Sequence, residues 1–214
     1  MNCFRYKLEH DYGFAPNPFH GTLSLATCKS EIRKNKNLQI GDWVIGLGSV
    51  AMGNLNHLIF AMRVEEKISF DEYWEDVRFQ CKKPVLTGSL LQMYGDNVYH
   101  TDKTTGEVIQ ENCAHSLEDG SVNTEHHRRD VDGQYVLLSK TFYYFGDKAP
   151  LIPPEFDYIY NVARSLKFWD LYGEEEKIKA FIEWISSNYE LGIHGDPCNW
   201  KEYNLPKMDI YEDE

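Results

Sequence analysis

The chain has 214 residues, 42% of them hydrophobic and 14% aromatic, which fits one domain, or one domain with an appendage, around a sizeable core. It contains no signal-peptide pattern and no apolar run near the ~20 residues of a membrane helix, so we expect a cytoplasmic protein without a membrane partner. The formal net charge of −12 argues against general affinity for nucleic acid, because such affinity depends on neutralising phosphates.

The first two predicted elements are a strand and an unusual loop. Residues 3–8 alternate apolar and polar side chains, a pattern typical of a strand. Residues 11–21 hold two prolines and two glycines, which exclude a regular helix or a central strand. The loop is nevertheless aromatic, so we expect it to pack on a core or to line a pocket.

The next segments predict short strands separated by turns. Residues 22–28 form a strand or the entry to a helix, and Ser30 is placed to cap a helical turn over residues 31–36. Residues 42–46 have the pattern of a buried strand, and residues 58–65 that of the clearest strand in the chain.

A helical turn is predicted to begin at Ser69 or Asp71. Residues 80–135 are irregular and rich in Gly, Asn, Asp and His. So long an irregular stretch is uncommon in a compact domain unless it is functional or contains short strands. We expect short strands near residues 98–99 and 108–109.

The C-terminal part predicts two more strands and a helix. Residues 135–139 and 141–145 have strand patterns, and a proline pair follows them. Residues 174–189 predict an amphipathic helix, which places a domain at 1–150 and a C-terminal helical extension at 151–214 that packs on it. The apolar stripe of the helix consists of Ile178, Phe181, Ile182 and Ile185.

Short strands outnumber helices in the predicted domain. This balance favours an α+β fold with a curved, mainly antiparallel sheet or a small barrel, followed by a C-terminal helical segment.

Several long motifs carry a family resemblance. D-Y-G-F-A-P-N-P-F-H-G at residues 11–21 is followed by A-T-C-K-x-x-I-R at 26–33 and G-D-W-V-I-G-L-G-S at 41–49. Further motifs cover residues 60–79 and 88–100. Together they resemble the prokaryotic and phage family called nucleotide modification associated domain 2. The resemblance implies a role in the modification of nucleotides or DNA bases, and a connection with phage defence. It implies no particular reaction.

A weaker resemblance concerns the order of elements. A Gly-Asp turn, a buried strand, a long strand and a D-E-Y-W helix follow one another in a way that is similar to PUA-related domains, including the EVE type. That resemblance implies a PUA-like fold with a pocket that holds a base.

The candidate ligand-binding residues are aromatic or basic. Aromatic rings stack on nucleobases, and Lys or Arg side chains bind phosphate. The alternative for the aromatic residues is ordinary core packing, and for the basic ones a solvated turn. The candidates are Tyr12, Phe14, Asn17, Phe19, Lys29, Arg33, Trp43 and Ser49.

The candidate catalytic residues are His20, His100 and Asp96. An imidazole titrates near neutral pH and can move protons, and Asp96 is an acid–base partner for His100 if the fold brings the two together. The alternative for His20 is a structural histidine bonded to the loop backbone.

Other catalytic signatures are weak in the sequence. Gly46 and Gly48 lack the lysine of a phosphate loop and the third glycine of a dinucleotide fingerprint. No metal-binding motif occurs, so we predict no metal and no other cofactor. Cys28 lies beside Lys29, which suits a reactive thiol, but a buried structural cysteine is the expected role.

Three functions therefore remain open from the sequence. The first is a protein that binds a nucleotide or modified base, in company with other nucleotide-modification proteins. The second is a transferase or hydrolase that acts on such a ligand with histidine acid–base groups. The third is a structural or interaction subunit whose aromatic residues form its core.

Overall fold

The structure is a computed structural model that describes residues 1–161, 169–171 and 173–203. The strands are β1 (Cys3–Lys7), β2 (Leu23–Leu25), β3 (Trp43–Leu47), β4 (Leu58–Arg63), β5 (Glu66–Ser69), β6 (Tyr99–Thr101), β7 (Val108–Gln110), β8 (Tyr135–Ser139), β9 (Phe142–Tyr144), β10 (Trp169–Asp170) and β11 (Gly192–Ile193). The helices are α1 (Ser30–Arg33), α2 (Phe70–Glu75), α3 (Leu90–Met93), α4 (Thr124–Val131), α5 (Asp157–Tyr160) and α6 (Glu175–Asn188). Short 3₁₀ helices cover Val77–Lys82, Gly146–Lys148, Pro154–Phe156 and Cys198–Tyr203.

The largest sheet has six strands in the order β10-β1-β3-β4-β9-β11. β1 runs parallel to β3, and β9 runs parallel to β11, while the other neighbours in this sheet are antiparallel. The second sheet, β2-β8-β5, and the small sheet of β6 and β7 are antiparallel throughout. The prediction of a mixed fold with mainly antiparallel pairing is therefore confirmed.

None of these sheets closes into a barrel within the described residues. The barrel alternative is wrong because the six-stranded sheet has two separate edges, β10 and β11, each contributed by the chain after residue 160. The similarity to PUA-related domains consequently gains no support from the architecture.

Both faces of the six-stranded sheet are buried, because its strands alternate side chains between two apolar layers. Phe4 and Tyr6 point into the layer shared with the second sheet, together with Leu23 and Leu137. On the opposite face, the residues that alternate with them pack against the C-terminal helices. This layer contains Cys3, Trp43, Ile45, Leu47, Ile159, Ile178, Phe181 and Ile185.

Most predicted elements form close to their expected positions. The strands around residues 3–8, 42–46, 98–99 and 108–109 are confirmed as β1, β3, β6 and β7. The predicted helical turn over 31–36 is instead α1, which starts one residue earlier and ends at Arg33.

Helix α4 was missed in the irregular stretch, since it is polar and buries only Asp130. A helix without an apolar stripe gives no periodic signal in the sequence. None of the helices in the described parts of the chain combines the length and apolar character that a membrane crossing requires.

The predicted C-terminal helix is confirmed as α6, and three residues of its apolar stripe are fully buried: Ile178, Phe181 and Ile185. Strands β10 and β11 also come from the C-terminal part and complete the edges of the sheet. The boundary at residue 150 thus separates two stretches that share one core and one sheet, and the division into two parts stays a prediction.

Replacing Phe181 by alanine should therefore destabilise the whole protein. Phe181 is fully buried against the six-stranded sheet, and truncation of a buried phenylalanine costs about 3–5 kcal/mol. Glu183→Ala, on the exposed side of the same helix, is the matched control and should change the free energy of unfolding by less than about 0.5 kcal/mol. Urea denaturation measures both, and equal stabilities would show that α6 is an independent appendage.

Candidate functional site

Three side chains from distant parts of the chain form a hydrogen-bonded row. The Sγ atom of Cys28 lies 3.6 Å from Nε2 of His115, and Nδ1 of His115 lies 2.7 Å from Oδ2 of Asp130. Cys28 follows β2, His115 follows β7, and Asp130 belongs to α4. A thiol, an imidazole and a carboxylate in this order have the arrangement of a catalytic triad, in which the base is oriented by the third group.

Cys28 sits on a strained turn. Its φ is 54°, and Lys29 follows with a φ of 41°, so two consecutive non-glycine residues adopt the left-handed conformation. Such residues cost about 1–3 kcal/mol each and persist where the surrounding structure fixes them, often at functional sites. The backbone N–H of Cys28 donates to Oδ1 of Asp130 at 2.6 Å, which fixes this turn relative to α4.

The side chain of Arg33 stabilises the turn at Cys28. Its side chain is fully buried, and its guanidinium donates to the backbone carbonyls of Cys28, Asp130 and Tyr135 at 2.8, 2.6 and 2.7 Å. Gly133 lies against the guanidinium so closely that a Cβ atom there would clash with it. The guanidinium is buried and bonded to these three carbonyls, so it stabilises the turn. The contact with a ligand phosphate predicted for Arg33 remains untested.

The charges of the row are set by burial and by mutual contacts. Burial lowers the pKa of His115, but the hydrogen bonds with Asp130 and Cys28 outweigh burial and raise it to about 10. Burial raises the pKa of Asp130, yet the hydrogen bond and positive charge of His115 hold it below its ordinary value. His115 is therefore an imidazolium at neutral pH, and its Nε2 atom faces Sγ of Cys28.

The ligand atoms of the same three residues lie within 4.8 Å of one another, a spacing that a metal ion can bridge. Both carboxylate oxygens of Asp130, however, are already hydrogen-bonded. Oδ2 is paired with Nδ1 of His115, and Oδ1 accepts from the backbone N–H of Cys28. Only Sγ of Cys28 and Nε2 of His115 then face a common point, and two protein ligands are fewer than the three or four typical of zinc sites. The geometry fits proton transfer better than metal binding.

Aromatic and basic groups surround the row. Phe14, from the aromatic loop, lies edge-on against His115 with ring centroids 4.8 Å apart, and His126 lies against the same ring at 4.2 Å. The ammonium of Lys29 lies over the Tyr6 ring, 4.5 Å from its centroid. Three of the predicted ligand-binding residues, Phe14, Lys29 and Arg33, thus adjoin the row.

The remaining aromatic residues of the loop are packed against other rings. Tyr12 stacks on Tyr94 with centroids 5.4 Å apart, and Phe19 stacks on Trp200 at the same distance. Phe19 is only 6% exposed. Each of these two rings has one face occupied by protein.

Asn17 and Asp96 belong to a fully buried polar network beneath this loop. The ammonium of Lys82 donates to Oδ1 of Asn17 at 2.7 Å and to Oγ of Ser24 at 2.9 Å. Ser24 in turn donates to Asp96 at 2.6 Å, and the Tyr73 hydroxyl donates to the same carboxylate at 2.8 Å. Burial lowers the pKa of Lys82 to about 8.

The structure does not bring the predicted acid–base residues into one site. His100 pairs with Glu111 at 2.8 Å, whereas Asp96 is buried in the network of Lys82. His20 is exposed on its loop with a φ of 61°. Burial and the nearby charge of Lys82 lower the pKa of His20.

Trp43 and Ser49 have structural contacts. Trp43 is 4% exposed in the apolar layer that faces α6. The hydroxyl of Ser49 accepts from the backbone N–H of Met52 at 3.3 Å, which closes a turn after β3. Their predicted contact with a ligand remains untested.

A separate cleft of about 300 Å³ lies beside α2 and β6. In it, the Trp74 ring stacks on His100 with centroids 4.2 Å apart, and the Lys83 ammonium lies 3.4 Å from the Trp74 ring centroid. These contacts involve His100 and none of the other residues predicted from the sequence.

A family model described as nucleotide modification associated domain 2 matches residues 1–204. The chain belongs to this family. The resemblance predicted from the motifs is thereby confirmed, and the match continues past residue 150 through α6 and β11. The name of the nucleotide modification associated domain 2 family indicates involvement in nucleotide modification, and neither a curated protein nor a solved structure matches the chain.

Sequence reasoning missed the row of Cys28, His115 and Asp130 because its members are separated by 87 and 15 positions. The useful signal was a single cysteine two residues before a helical turn, in a chain that also contains histidine and aspartate. The members of such a site are adjacent in space and not in sequence. That signal gives no means of choosing among the eight histidines.

Cys28 should react faster with iodoacetamide at pH 7 than the exposed Cys81, by about tenfold, because the His115 ring lies 3.6 Å from its Sγ atom and reactive cysteines are found beside such groups. Cys198 should react more slowly than both, since burial and nearby Asp11 raise its pKa to about 12. Peptide mass spectrometry after timed labelling measures the three rates in one sample. His115→Ala should reduce the Cys28 rate to that of Cys81; an unchanged rate would contradict the pairing.

The His115–Asp130 contact should make stability depend on pH. The folded pKa of His115, about 10, exceeds its ordinary value of 6.5, so the stabilisation is complete below pH 6.5 and is lost as the pH rises towards 10. The difference in unfolding free energy between wild type and His115→Gln should therefore shrink across this window. A difference that is constant from pH 6 to about pH 10 would show that the imidazole is not held as a cation.

Proposed function

We propose that the chain is a thiol-dependent enzyme of nucleotide modification. It transfers an acyl group from an amide or ester to an acceptor, or releases that group by hydrolysis. The observation that carries the proposal is the row of Cys28, His115 and Asp130 on a strained turn. The family name supports a nucleotide or a modified base as the substrate class. The proposal corresponds to the enzyme alternative predicted from the sequence, with a different set of residues.

The three residues divide the reaction among themselves. The Cys28 thiolate attacks the carbonyl carbon of an amide or ester, and the electrons of the C=O bond move onto the oxygen. When the carbonyl re-forms, the leaving amine or alcohol takes the proton of the His115 imidazolium. The neutral imidazole then removes a proton from water, or from an acceptor nucleophile, which attacks the thioester and releases Cys28. Asp130 keeps Nδ1 protonated and Nε2 directed at Sγ.

Lys29 supplies a positive charge next to the nucleophile. Its side chain is half-buried, and its ammonium lies over the Tyr6 ring, 4.5 Å from the ring centroid. A lysine ammonium in this position is suited to binding a nucleotide phosphate. The phosphate contact predicted for Lys29 is therefore retained in the proposal.

The second candidate function is binding of a nucleotide or modified base without catalysis. It depends on aromatic faces that a base can cover, and Tyr12 and Phe19 each already stack on a protein ring. The cleft beside Trp74 is the observation that favours it, because it contains an aromatic ring, a lysine and a histidine. In a purely structural role, the hydrogen bonds with Asp130 and Arg33 would hold the turn at Cys28 only for packing.

Incubation with acylated nucleotides tests the enzyme proposal. The panel contains base-N-acylated and ribose-O-acylated nucleotides, and intact-protein mass spectrometry detects an acyl group on Cys28. Wild type should form an acyl-enzyme and release deacylated nucleotide, and Cys28→Ala should do neither. Cys81→Ala, which removes an exposed thiol outside the row, is the control and should behave as wild type. Equal turnover by wild type and Cys28→Ala would overturn the proposal.

A further inference from the structure

The side chain of Trp74 lies outside the apolar core. The other tryptophans whose side chains the structure describes, Trp43, Trp184 and Trp200, all belong to an apolar cluster or pack against one. Trp74 instead lines the cleft of about 300 Å³ beside α2 and β6, and it is only partly buried. Core packing therefore does not account for this large aromatic ring.

Two stacked rings form an aromatic wall of the cleft. The rings of Trp74 and His100 have centroids 4.2 Å apart and planes 19° from parallel. Nε2 of His100 pairs with Glu111 at 2.8 Å, which fixes the imidazole against the indole. A partly exposed indole in a cleft is a surface on which a nucleobase stacks, and such stacking accepts every base because each has a π-face.

Lys83 supplies a positive charge to the cleft without an acidic partner. Its ammonium lies 3.4 Å from the centroid of the indole ring, and it forms no ion pair among the described residues. The carboxylates that line the cleft are already paired. Asp71 accepts from the backbone N–H and the hydroxyl of Thr101 at 2.6 and 2.7 Å. Glu75 pairs with Lys103 at 2.9 Å. The ammonium of Lys83 is therefore the cation of this cleft that is free to bind an anion.

A nucleotide would use the indole and the ammonium together. On an exposed ring, a lysine ammonium contributes less binding free energy than a stacked base does. A base that replaces the ammonium of Lys83 on the ring is therefore favoured, and the displaced ammonium gains a phosphate, which is a stronger partner than the ring. The volume of about 300 Å³ lies at the lower end of ligand sites and suits a single nucleotide.

We propose that this cleft binds one nucleotide with an unpaired base, which stacks on Trp74 while its phosphate is held by Lys83. A base inside a duplex is covered on both faces by its neighbours, so the site selects a free nucleotide or the end of a single strand. The net charge of −12 opposes a long polyanion and favours the free nucleotide. The inference stands apart from the reaction proposed for Cys28, since no residue that lines the cleft belongs to the row.

The fluorescent nucleotide etheno-AMP tests the stacking contact. Its emission should be quenched when it binds to wild type, because its base stacks on an indole. Trp74→Ala removes the stacking surface and should bind about tenfold more weakly, as measured by fluorescence anisotropy. Cys28→Ala should bind as tightly as wild type. Equal affinities of wild type and Trp74→Ala, or no binding by wild type, would overturn the inference.

Competition with unlabelled AMP and adenosine tests the phosphate contact. Wild type should prefer AMP by about tenfold, because a charged hydrogen bond to phosphate is a strong one. Lys83→Gln should bind both competitors equally, with the adenosine affinity of wild type. Lys67→Gln is the matched control, since Lys67 also lies over an aromatic ring, 4.9 Å from the centroid of Tyr135, but outside the cleft. It should keep the preference for AMP. A preference that survives in Lys83→Gln would overturn the assignment.

This comparison of two ligands on one protein does not depend on stability, so Lys83→Gln decides the matter if Trp74→Ala does not fold. A 5′-phosphorylated tetranucleotide, single-stranded and as a duplex, separates the sources of the ligand. AMP should bind most tightly, tighter binding of the single strand would assign the site to a strand end, and tighter binding of the duplex would overturn the inference.

The outcomes also distinguish failure of the inference from failure of the proposed function. If Cys28→Ala loses etheno-AMP and Trp74→Ala retains it, the nucleotide is bound at the row, and the inference is wrong while the proposed function stands. If Trp74→Ala loses etheno-AMP but Cys28→Ala turns over acylated nucleotides as fast as wild type, the inference stands and the proposed function is wrong.

Discussion

The carboxylate of Asp130 accepts hydrogen bonds from three segments of the chain at once. The backbone N–H of Cys28 reaches Oδ1, and the His115 ring and the Tyr99 hydroxyl reach Oδ2. A carboxylate that is 1% exposed is tolerated only with such partners, because an unpaired buried charge is very costly. The turn of Cys28, the orientation of the His115 ring and the position of α4 all depend on this one group.

Two buried cations organise the loops around the site. Arg33 joins the turn of Cys28 to the backbone of α4 and β8 through three carbonyls. Lys82 joins the aromatic loop to β2 through Asn17 and Ser24. In a chain of net charge −12, these two positive charges lie inside the fold. Basic residues in a sequence motif are therefore not by themselves evidence of a phosphate site.

The aromatic loop is fixed to the core at several points, and this bears on the proposed chemistry. The carboxylate of Asp11 accepts from the Tyr144 hydroxyl at 2.8 and 2.7 Å, and Asn17 pairs with β2 through its backbone. Phe14 is thereby held against His115. A site that is already ordered before substrate binds loses little free energy in organising its catalytic groups. The loop thus contributes to the site mainly by packing, and Phe14 is its point of contact.

The sequence by itself determined the family, the main strands and the C-terminal helix. Long motifs identify a family, period-two alternation of apolar residues is typical of a strand such as β1, and helical alternation reports burial on one face, as in the stripe of α6. Only the tertiary structure decided the site. Cys28, His115 and Asp130 come together because β2, the loop after β7 and helix α4 converge, and no local pattern records that convergence. It likewise decided that Arg33 is buried and that His100 and Asp96 have separate partners, since the burial and pairing of a polar side chain depend on residues far away in the chain.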